Sequence, residues 1–250
     1  MLHSEDESRF IRTIGARLAL VRENIARSAA KAGRRAEAVE IVTISKRQPE
    51  VYIQAAYACG LRCFGENYAE EALVKMNNLS GLPDLQWDIV GHIQSRKARL
   101  IADRVARVHS VDSLKLAGLL SQLRPADMPA LDVLLEVNVS GEESKGGFPA
   151  VSQADWSALL PAADAVSRLP RLRLRGLMCM PPLQTEMENN RSYFSKTREL
   201  LDFLKAALPG LELSELSMGT SSDYPVAVEE GATLVRLGEA ILGPRPVKAE

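Results

Sequence analysis

Lys46 is the side chain whose type and position best suit covalent chemistry. It follows Ile44 and Ser45 at the end of a short apolar run and precedes Gln48 and Pro49, where a helix is predicted to begin. A lysine that is desolvated or beside another cation has a lowered pKa, and its neutral amine can condense with an aldehyde. Most lysines are solvated surface residues, so this position alone also fits an ordinary exposed lysine.

Two loops rich in glycine and hydroxyl groups form a candidate phosphate site. One is residues 218–223 (MGTSSD), which contains Ser221, and the other is residues 236–240 (RLGEA), in which Gly238 opens a short helix. Backbone N–H groups at a helix N-terminus favour a phosphate dianion. Ordinary turns capped by serine and glycine have the same composition. If Lys46 shares a rim with these loops, the ligand is an aldehyde that carries a phosphate.

Arg236 ends the strand candidate that precedes the second loop. A guanidinium donates hydrogen bonds and keeps its proton. If Arg236 faces a pyridine nitrogen, that nitrogen is an unprotonated acceptor, and the ring is a weaker electron sink than one protonated by a carboxylate. The alternatives are an arginine paired with Asp or Glu, or a phosphate ligand.

Asn67 and His92 follow two other strand candidates. Asn67 is a candidate either for the site or for the cap of the next helix. His92 is a candidate general base or a hydrogen-bonded structural histidine. The sequence leaves both pairs of alternatives open.

The elements that must position these residues alternate along the chain. Phe10, Ile14, Leu18, Val21 and Ile25 recur at helical spacing and predict a long helix over residues 4–32. Eight β-branched or apolar runs then predict strands, at 39–45, 61–64, 86–90, 105–111, 131–139, 172–178, 211–217 and 233–237. Helical periodicity separates consecutive runs, at 49–59, 66–79, 94–102, 113–123, 149–166, 186–207 and 223–230.

This alternation predicts an α/β fold in which parallel strands are joined by right-handed crossovers, and eight such strands close a barrel. The loops after the strands then lie on one rim, with a phosphate site typical after strands 7 and 8. An open doubly wound sheet also alternates. It usually has a glycine-rich turn after its first strand, whereas here that turn is SKRQP.

Composition excludes several classes of partner. Lys+Arg 31 against Asp+Glu 32 leaves a net charge of −1, unlike a nucleic-acid-binding protein. No apolar run reaches the roughly 18 residues of a membrane span, and the acidic N-terminus does not resemble a secretory signal. Three cysteines in a chain of 250 residues suggest a reducing compartment, and no residues have metal-ligand spacing. We expect a cytoplasmic monomer that binds no metal.

The chain resembles the YggS/PROSC family of pyridoxal phosphate homeostasis proteins, which are stand-alone relatives of the barrel domain of alanine racemase. The similarity extends over nearly the whole chain, in order. The matching blocks are IVTISKRQP (41–49), FGENY (64–68), WDIVGHIQSRK (87–97), VHSVD (108–112), EVNVSGEESKGG (136–147), RGLMCMPP (175–182) and LSMGTSSDYPVAVEEGATLVRLGEAILGPR (216–245).

The resemblance implies a single (β/α)₈ TIM barrel over residues 1–250, with the helix over 4–32 as an N-terminal addition. It implies that pyridoxal 5′-phosphate is held as a Schiff base on Lys46. It also implies that Ser221 and the backbone near Gly238 hold the phosphate, that Arg236 faces the pyridine nitrogen, and that Asn67 lies near the ring.

The chain departs from the family in the two phosphate loops. Thr220-Ser221 stands where the family usually has Met-Ser, and Glu239 stands where a serine or threonine often follows the glycine. A carboxylate pointing at a phosphate would repel it. We therefore expect Glu239 to turn outward or to stabilise the N-terminus of the helix.

Three functions fit this sequence. The resemblance implies a carrier for intracellular pyridoxal phosphate homeostasis, with apo-enzymes as partners and without substantial turnover.

The second candidate function is that of a racemase, which needs a base on each face of the substrate Cα. Lys46 serves one face, but relatives take the other base from a second domain, for which a chain ending soon after Arg245 has no room. Tyr224 is a possible substitute, although its place at a helix start favours packing. A cofactor-free Schiff-base aldolase would use the same loops for a sugar phosphate, and would lack visible absorbance.

Overall fold

Strands and helices alternate through the computed structural model, which describes residues 4–245. The predicted domain bounds, 1–250, extend beyond the described residues at both ends. The strands are β1 (Glu40–Ile44), β2 (Cys63–Glu66), β3 (Gln86–Ile89), β4 (Arg107–Val111), β5 (Leu131–Asn138), β6 (Phe148–Pro149), β7 (Leu172–Cys179), β8 (Glu215–Thr220) and β9 (Leu234–Leu237). The α-helices are α1 (Ser4–Lys31), α2 (Glu50–Ala58), α3 (Ala69–Asn78), α4 (Leu114–Leu123), α5 (Gln153–Ser167), α6 (Arg191–Ala207), α7 (Tyr224–Glu229) and α8 (Glu239–Leu242).

The strands form a closed parallel sheet. Its order is β4-β3-β2-β1-β9-β8-β7-β5, and pairing of β4 with β5 completes the ring. The two-residue β6 adds to the end of β5 outside this ring. The predicted (β/α)₈ barrel with an additional N-terminal helix is therefore confirmed. All eight barrel strands end at one rim.

Several predicted bounds differ from the structure: the strand predicted at 61–64, for example, is β2 at Cys63–Glu66, and the helix predicted at 186–207 begins as the 3₁₀ helix Met187–Asn190. The strand predicted at 211–217 is displaced: β8 begins at Glu215, which pairs with Gly176 of β7 so closely that an added Cβ would clash with the Glu215 carbonyl oxygen. The helix predicted from 149 is wrong at its start: Pro149 belongs to β6, and α5 begins only after a capping box between Ser152 and Asp155. The helix predicted at 94–102 is the short 3₁₀ helix Ser95–Leu100.

The predicted apolar stripe attaches α1 to the outside of the barrel. Ile14, Leu18, Val21 and Ile25 are each at most 3% exposed, and the helix packs on α2, α7 and α8. The helix ends at Lys31, and the φ of +64° at Gly33 allows the backbone N–H of Arg34 to bond back to the Ala29 carbonyl at 2.8 Å. No helix among residues 4–245 is long and apolar enough to cross a membrane.

The barrel interior is unusually polar at its centre. A small apolar set lines it, formed by Val42, Cys63, Val90, Leu134, Met178 and Leu234. Bulky branched side chains normally fill such a barrel. Here Asp88, His109, Ser217 and Arg236 are also buried.

We predict that α1 unfolds together with the barrel. Leu18→Ala should lower the free energy of unfolding by about 2–5 kcal/mol, because the removed side chain is 2% exposed and its cavity lies between helices. Leu20→Ala in the same helix is the control, since Leu20 is 58% exposed and should change the stability by less than about 0.5 kcal/mol. Urea denaturation followed by circular dichroism measures both. If α1 of the Leu18→Ala variant unfolded in a separate transition at a lower urea concentration than the barrel, α1 and the barrel would not form a single cooperative unit.

Candidate functional site

Lys46 lies at the rim, two residues beyond the end of β1. It is half-buried, and its amine makes no hydrogen bond or ion pair within the described part of the chain. Burial lowers the pKa of Lys46, and the positive charges of Arg245 and Arg47 add to this effect, whereas Glu66 opposes it. The amine is therefore neutral over a wider pH range than that of an ordinary lysine, which makes it a better nucleophile.

The turn that presents Lys46 is fixed by bonds to two neighbouring elements. Arg47 has a φ of +58°, and its backbone N–H donates to Glu71 Oε1 at 2.6 Å. The buried Gln48 donates from Nε2 to the Gly243 carbonyl at 3.1 Å. These contacts hold the residues on the C-terminal side of the lysine.

A buried ion pair fixes the other side of the turn. Lys75 Nζ donates to the Ser45 carbonyl oxygen at 2.6 Å, to Glu66 Oε1 at 2.7 Å and to Glu71 Oε1 at 2.7 Å. The Ser45 hydroxyl donates to the same Glu66 oxygen at 2.6 Å. Lys75 and Glu66 are almost fully buried. A second lysine and a glutamate thus hold the backbone directly before Lys46.

The two predicted phosphate loops meet beside Lys46. The Ser221 hydroxyl accepts a hydrogen bond from the Ala240 backbone N–H at 3.2 Å, which joins the loop after β8 to the first turn of α8. Gly238 lies against β1, where an added Cβ would be 3.2 Å from the Ile44 carbonyl oxygen. Lys46 and Gly238 line the same small pocket. An amine and a glycine-lined helix start are therefore side by side.

Glu239 occupies the first turn of α8 and its side chain is exposed. This is the outward orientation expected from the sequence, although the residue still borders the pocket of Lys46. A carboxylate at a helix N-terminus interacts favourably with the helix dipole. Its charge is exposed to water beside the proposed phosphate site.

Arg236 extends from β9 into the buried interior of the barrel. Its Nη1 donates to Ser217 Oγ at 2.7 Å and its Nη2 to the Cys179 carbonyl at 2.9 Å. Its buried Nε has no hydrogen-bond partner, and within residues 7–245 no carboxylate forms an ion pair with the guanidinium. The alternative of an arginine paired with Asp or Glu is therefore wrong. A buried N–H donor without an acceptor fits a ligand that supplies one.

Asn67 and His92 lie further round the rim and line a neighbouring pocket. Ile44 of β1 pairs with Gly65 of β2. Lys46 and Asn67 each follow two residues later, so they lie at the same level along the barrel axis. Asn67 does not cap α3: the cap residue is Tyr68. His92 is largely exposed and its Nδ1 lies 2.9 Å from Asp112 Oδ2.

Sequence reasoning did not identify five buried polar residues that surround this site. Lys75 and Glu66 hold the Lys46 turn, and Asp88, His109 and Ser217 lie beneath Arg236. The only signal was a charged or polar residue within an apolar strand, as with Asp88 between Trp87 and Ile89.

The donors present fit a ligand with three features. The unpaired amine of Lys46 fits an aldehyde, the hydroxyl of Ser221 and the backbone near Gly238 fit a phosphate, and the free Nε of Arg236 fits an acceptor nitrogen in a ring.

Comparisons with known proteins agree with this chemistry. A model of the family described as "Alanine racemase, N-terminal domain" matches residues 17–246. A pyridoxal phosphate homeostasis protein of Pseudomonas aeruginosa is 46% identical over 93% of this chain and 96% of its own length. One from Escherichia coli K12 is 37% identical over 91% of this chain and 95% of its own.

Solved structures give the same relationship. PipY of Synechococcus elongatus, solved with PLP bound, superposes with a TM-score of 0.77 at 36% identity, over 92% of this chain and all of that one. Alanine racemase of Corynebacterium glutamicum shares the fold at a TM-score of 0.64 and 16% identity, over 96% of this chain and 62% of the racemase. The chain belongs to the alanine racemase N-terminal domain family and, within it, to the pyridoxal phosphate homeostasis proteins.

Proposed function

We propose that this protein binds pyridoxal 5′-phosphate covalently through Lys46 and serves its intracellular homeostasis without substantial turnover. The observation that carries the proposal is the unpaired amine of Lys46, with a pKa lowered by burial, in the same pocket as Gly238. The names of the relatives and the PLP-bound neighbour support the choice of cofactor.

Each part of the site has one role in this proposal. The cofactor supplies an aldehyde that condenses with a primary amine, and a phosphate dianion. Lys46 provides the amine, and Ser221 with the backbone N–H groups near Gly238 binds the phosphate. Arg236 donates from Nε to the ring nitrogen and keeps that nitrogen unprotonated. Asn67, at the height of Lys46 on the adjacent strand, lies beside the ring.

The same residues argue against efficient amino-acid chemistry. Racemisation needs a second base on the face opposite Lys46. Tyr224 does not serve, because it is buried and its hydroxyl accepts a hydrogen bond from Asn24 of α1, outside the barrel. His92 is largely exposed and bonded to Asp112 at the rim. Arg236 moreover leaves the ring a weak electron sink, because a guanidinium does not protonate the ring nitrogen.

Cofactor delivery defines the proposed partners and setting. Apo-enzymes that use pyridoxal phosphate are the recipients, and the protein acts in the cytoplasm as a monomer. Its three cysteines are all free, and Cys63 and Cys179 are buried, which suits a reducing compartment.

We predict that Lys46 carries the cofactor. Lys46→Ala should abolish the visible absorbance of the loaded protein and leave the circular dichroism spectrum unchanged, because the side chain has no partner in the fold. Lys97→Ala is the matched control, since Lys97 is a rim lysine paired with Glu70. Borohydride reduction and peptide mapping identify the modified residue. Modification of Lys97 or Lys145 in the wild-type protein would refute the assignment.

We predict that the phosphate supplies much of the affinity. Charge-assisted hydrogen bonds contribute about 1.5–3 kcal/mol each, so pyridoxal should bind roughly 100-fold or more weakly than its phosphate. Ser221→Ala should weaken binding of the phosphate about tenfold. Ser222→Ala, which removes the adjacent exposed hydroxyl, should have little effect. Dissociation constants from absorbance titration measure this, and equal affinities for the two vitamers would exclude the phosphate site.

We predict negligible racemase activity. A general base contributes typically ~10²–10⁴-fold to a rate, so absence of the second base suppresses turnover. Incubation with L-alanine in deuterated buffer should change the visible spectrum but yield neither Cα deuteration nor D-alanine. Formation of D-alanine at a few turnovers per second, lost in Lys46→Ala, would contradict the carrier function.

A further inference from the structure

A continuous chain of hydrogen bonds crosses the centre of the barrel beneath the proposed cofactor site. Arg236 Nη1 contacts Ser217 Oγ at 2.7 Å, and the same oxygen lies 2.8 Å from His109 Nδ1. The other ring nitrogen, His109 Nε2, lies 2.9 Å from Asp88 Oδ2. All four side chains are buried, with at most 3% of their surface exposed.

The donor and acceptor at each link follow from the chemistry of arginine. Because a guanidinium only donates, Ser217 Oγ accepts from Arg236, and its single proton is directed to His109 Nδ1. His109 therefore carries its proton on Nε2 and donates it to Asp88. Burial lowers the pKa of His109, and Asp88 opposes this effect, so the imidazole is neutral and every link has one donor and one acceptor.

The far end of the chain is fixed by charge. Asp88 Oδ2 also accepts from the Cys63 thiol at 3.3 Å and lies 3.8 Å from Nε of Arg107. Arg107 in turn pairs with Glu40 at 3.1 Å and approaches Glu215 at 3.7 Å, on the N-terminal side of the barrel. Asp88 thus lies between the cationic Arg107 and the end of the hydrogen-bond chain at His109.

This arrangement fixes the plane of a buried guanidinium. Both terminal nitrogens of Arg236 are engaged, by Ser217 and by the Cys179 carbonyl, whereas Nε is free. Buried polar groups are costly unless each is satisfied, and bulky apolar residues would normally fill these positions. Of the residues proposed to bind the cofactor, only Arg236 is contacted by this chain of hydrogen bonds. The chain therefore suggests a role in orienting that residue.

We propose that Ser217, His109 and Asp88 are positioning residues, which hold Arg236 so that it donates to the ring nitrogen of the cofactor. This inference rests on the proposed function. It assigns to the barrel interior a role in recognising the ring, separate from the amine and phosphate contacts at the rim.

The test compares pyridoxal 5′-phosphate with its 1-deaza analogue, in which CH replaces the ring nitrogen. The wild-type protein should bind the analogue about tenfold more weakly, because Arg236 then has no acceptor. Ser217→Ala should weaken binding of pyridoxal 5′-phosphate by a similar factor and shift its absorbance maximum. The same substitution should leave affinity for the analogue within about twofold. Asp88→Asn keeps the shape of the side chain but removes its charge. It should also weaken binding of pyridoxal 5′-phosphate more than binding of the analogue, and it replaces Ser217→Ala in the test if that variant does not fold.

Ser121→Ala is the control. It removes another buried serine hydroxyl, one that donates to the Pro170 carbonyl far from the mouth, and should affect neither ligand. A wild-type protein that does not distinguish the two ligands, or substitutions that weaken both equally, would overturn the positioning role. Failure of the proposed function has a different signature: loaded Lys46→Ala would keep its absorbance, and pyridoxal would bind as tightly as its phosphate.

Discussion

The hydrogen bonds between β4 and β5 close the sheet, and the geometry of the site depends on that closure. In an open sheet of this order, His109 of β4 and Ser217 of β8 would lie far apart, whereas in the closed ring they meet inside the barrel. At the rim, β1 pairs with both β2 and β9, so the loops that carry Lys46, Asn67 and Gly238 are adjacent even though the last is nearly 200 residues from the first. Parallel strands also place every loop of this kind at one rim.

The alternation of strands and helices was predictable because each element has a local period. Errors occurred where pairing between distant segments decides the structure. β8 begins four residues later than its apolar pattern indicates, because contact with Gly176 sets its register. β6 exists only as an addition to β5, and a two-residue strand has no periodicity to detect.

The candidate site was predictable at the rim but, apart from Arg236, not beneath it. Lys46, Ser221 and Gly238 follow strands, and that position alone makes them candidates once a barrel is expected. The chain from Asp88 to Ser217 joins residues on three strands, and His109 and Ser217 are 108 residues apart. No local pattern indicates such a contact, and the side chains read as occasional polar residues in apolar strands.

The two buried polar systems differ in what they contribute. The ion pair of Lys75 and Glu66 lies behind the Lys46 turn, and burial raises the pKa of Glu66 while Lys75 opposes that shift. Such pairs gain little net stability, because the desolvation of both charges offsets their attraction. The pair does, however, fix the Ser45 carbonyl, and with it the direction in which the reactive amine leaves the strand.

Arg236 has the opposite arrangement: no described carboxylate contacts its guanidinium, and the charges of Asp223 and Glu136 act on it only from a distance. A carboxylate in direct contact would neutralise the guanidinium and occupy its donors. At a distance it compensates the charge only in part and leaves Nε available. The barrel thus holds an unpaired donor beneath the rim, which is the feature that the proposed recognition of a ring nitrogen requires.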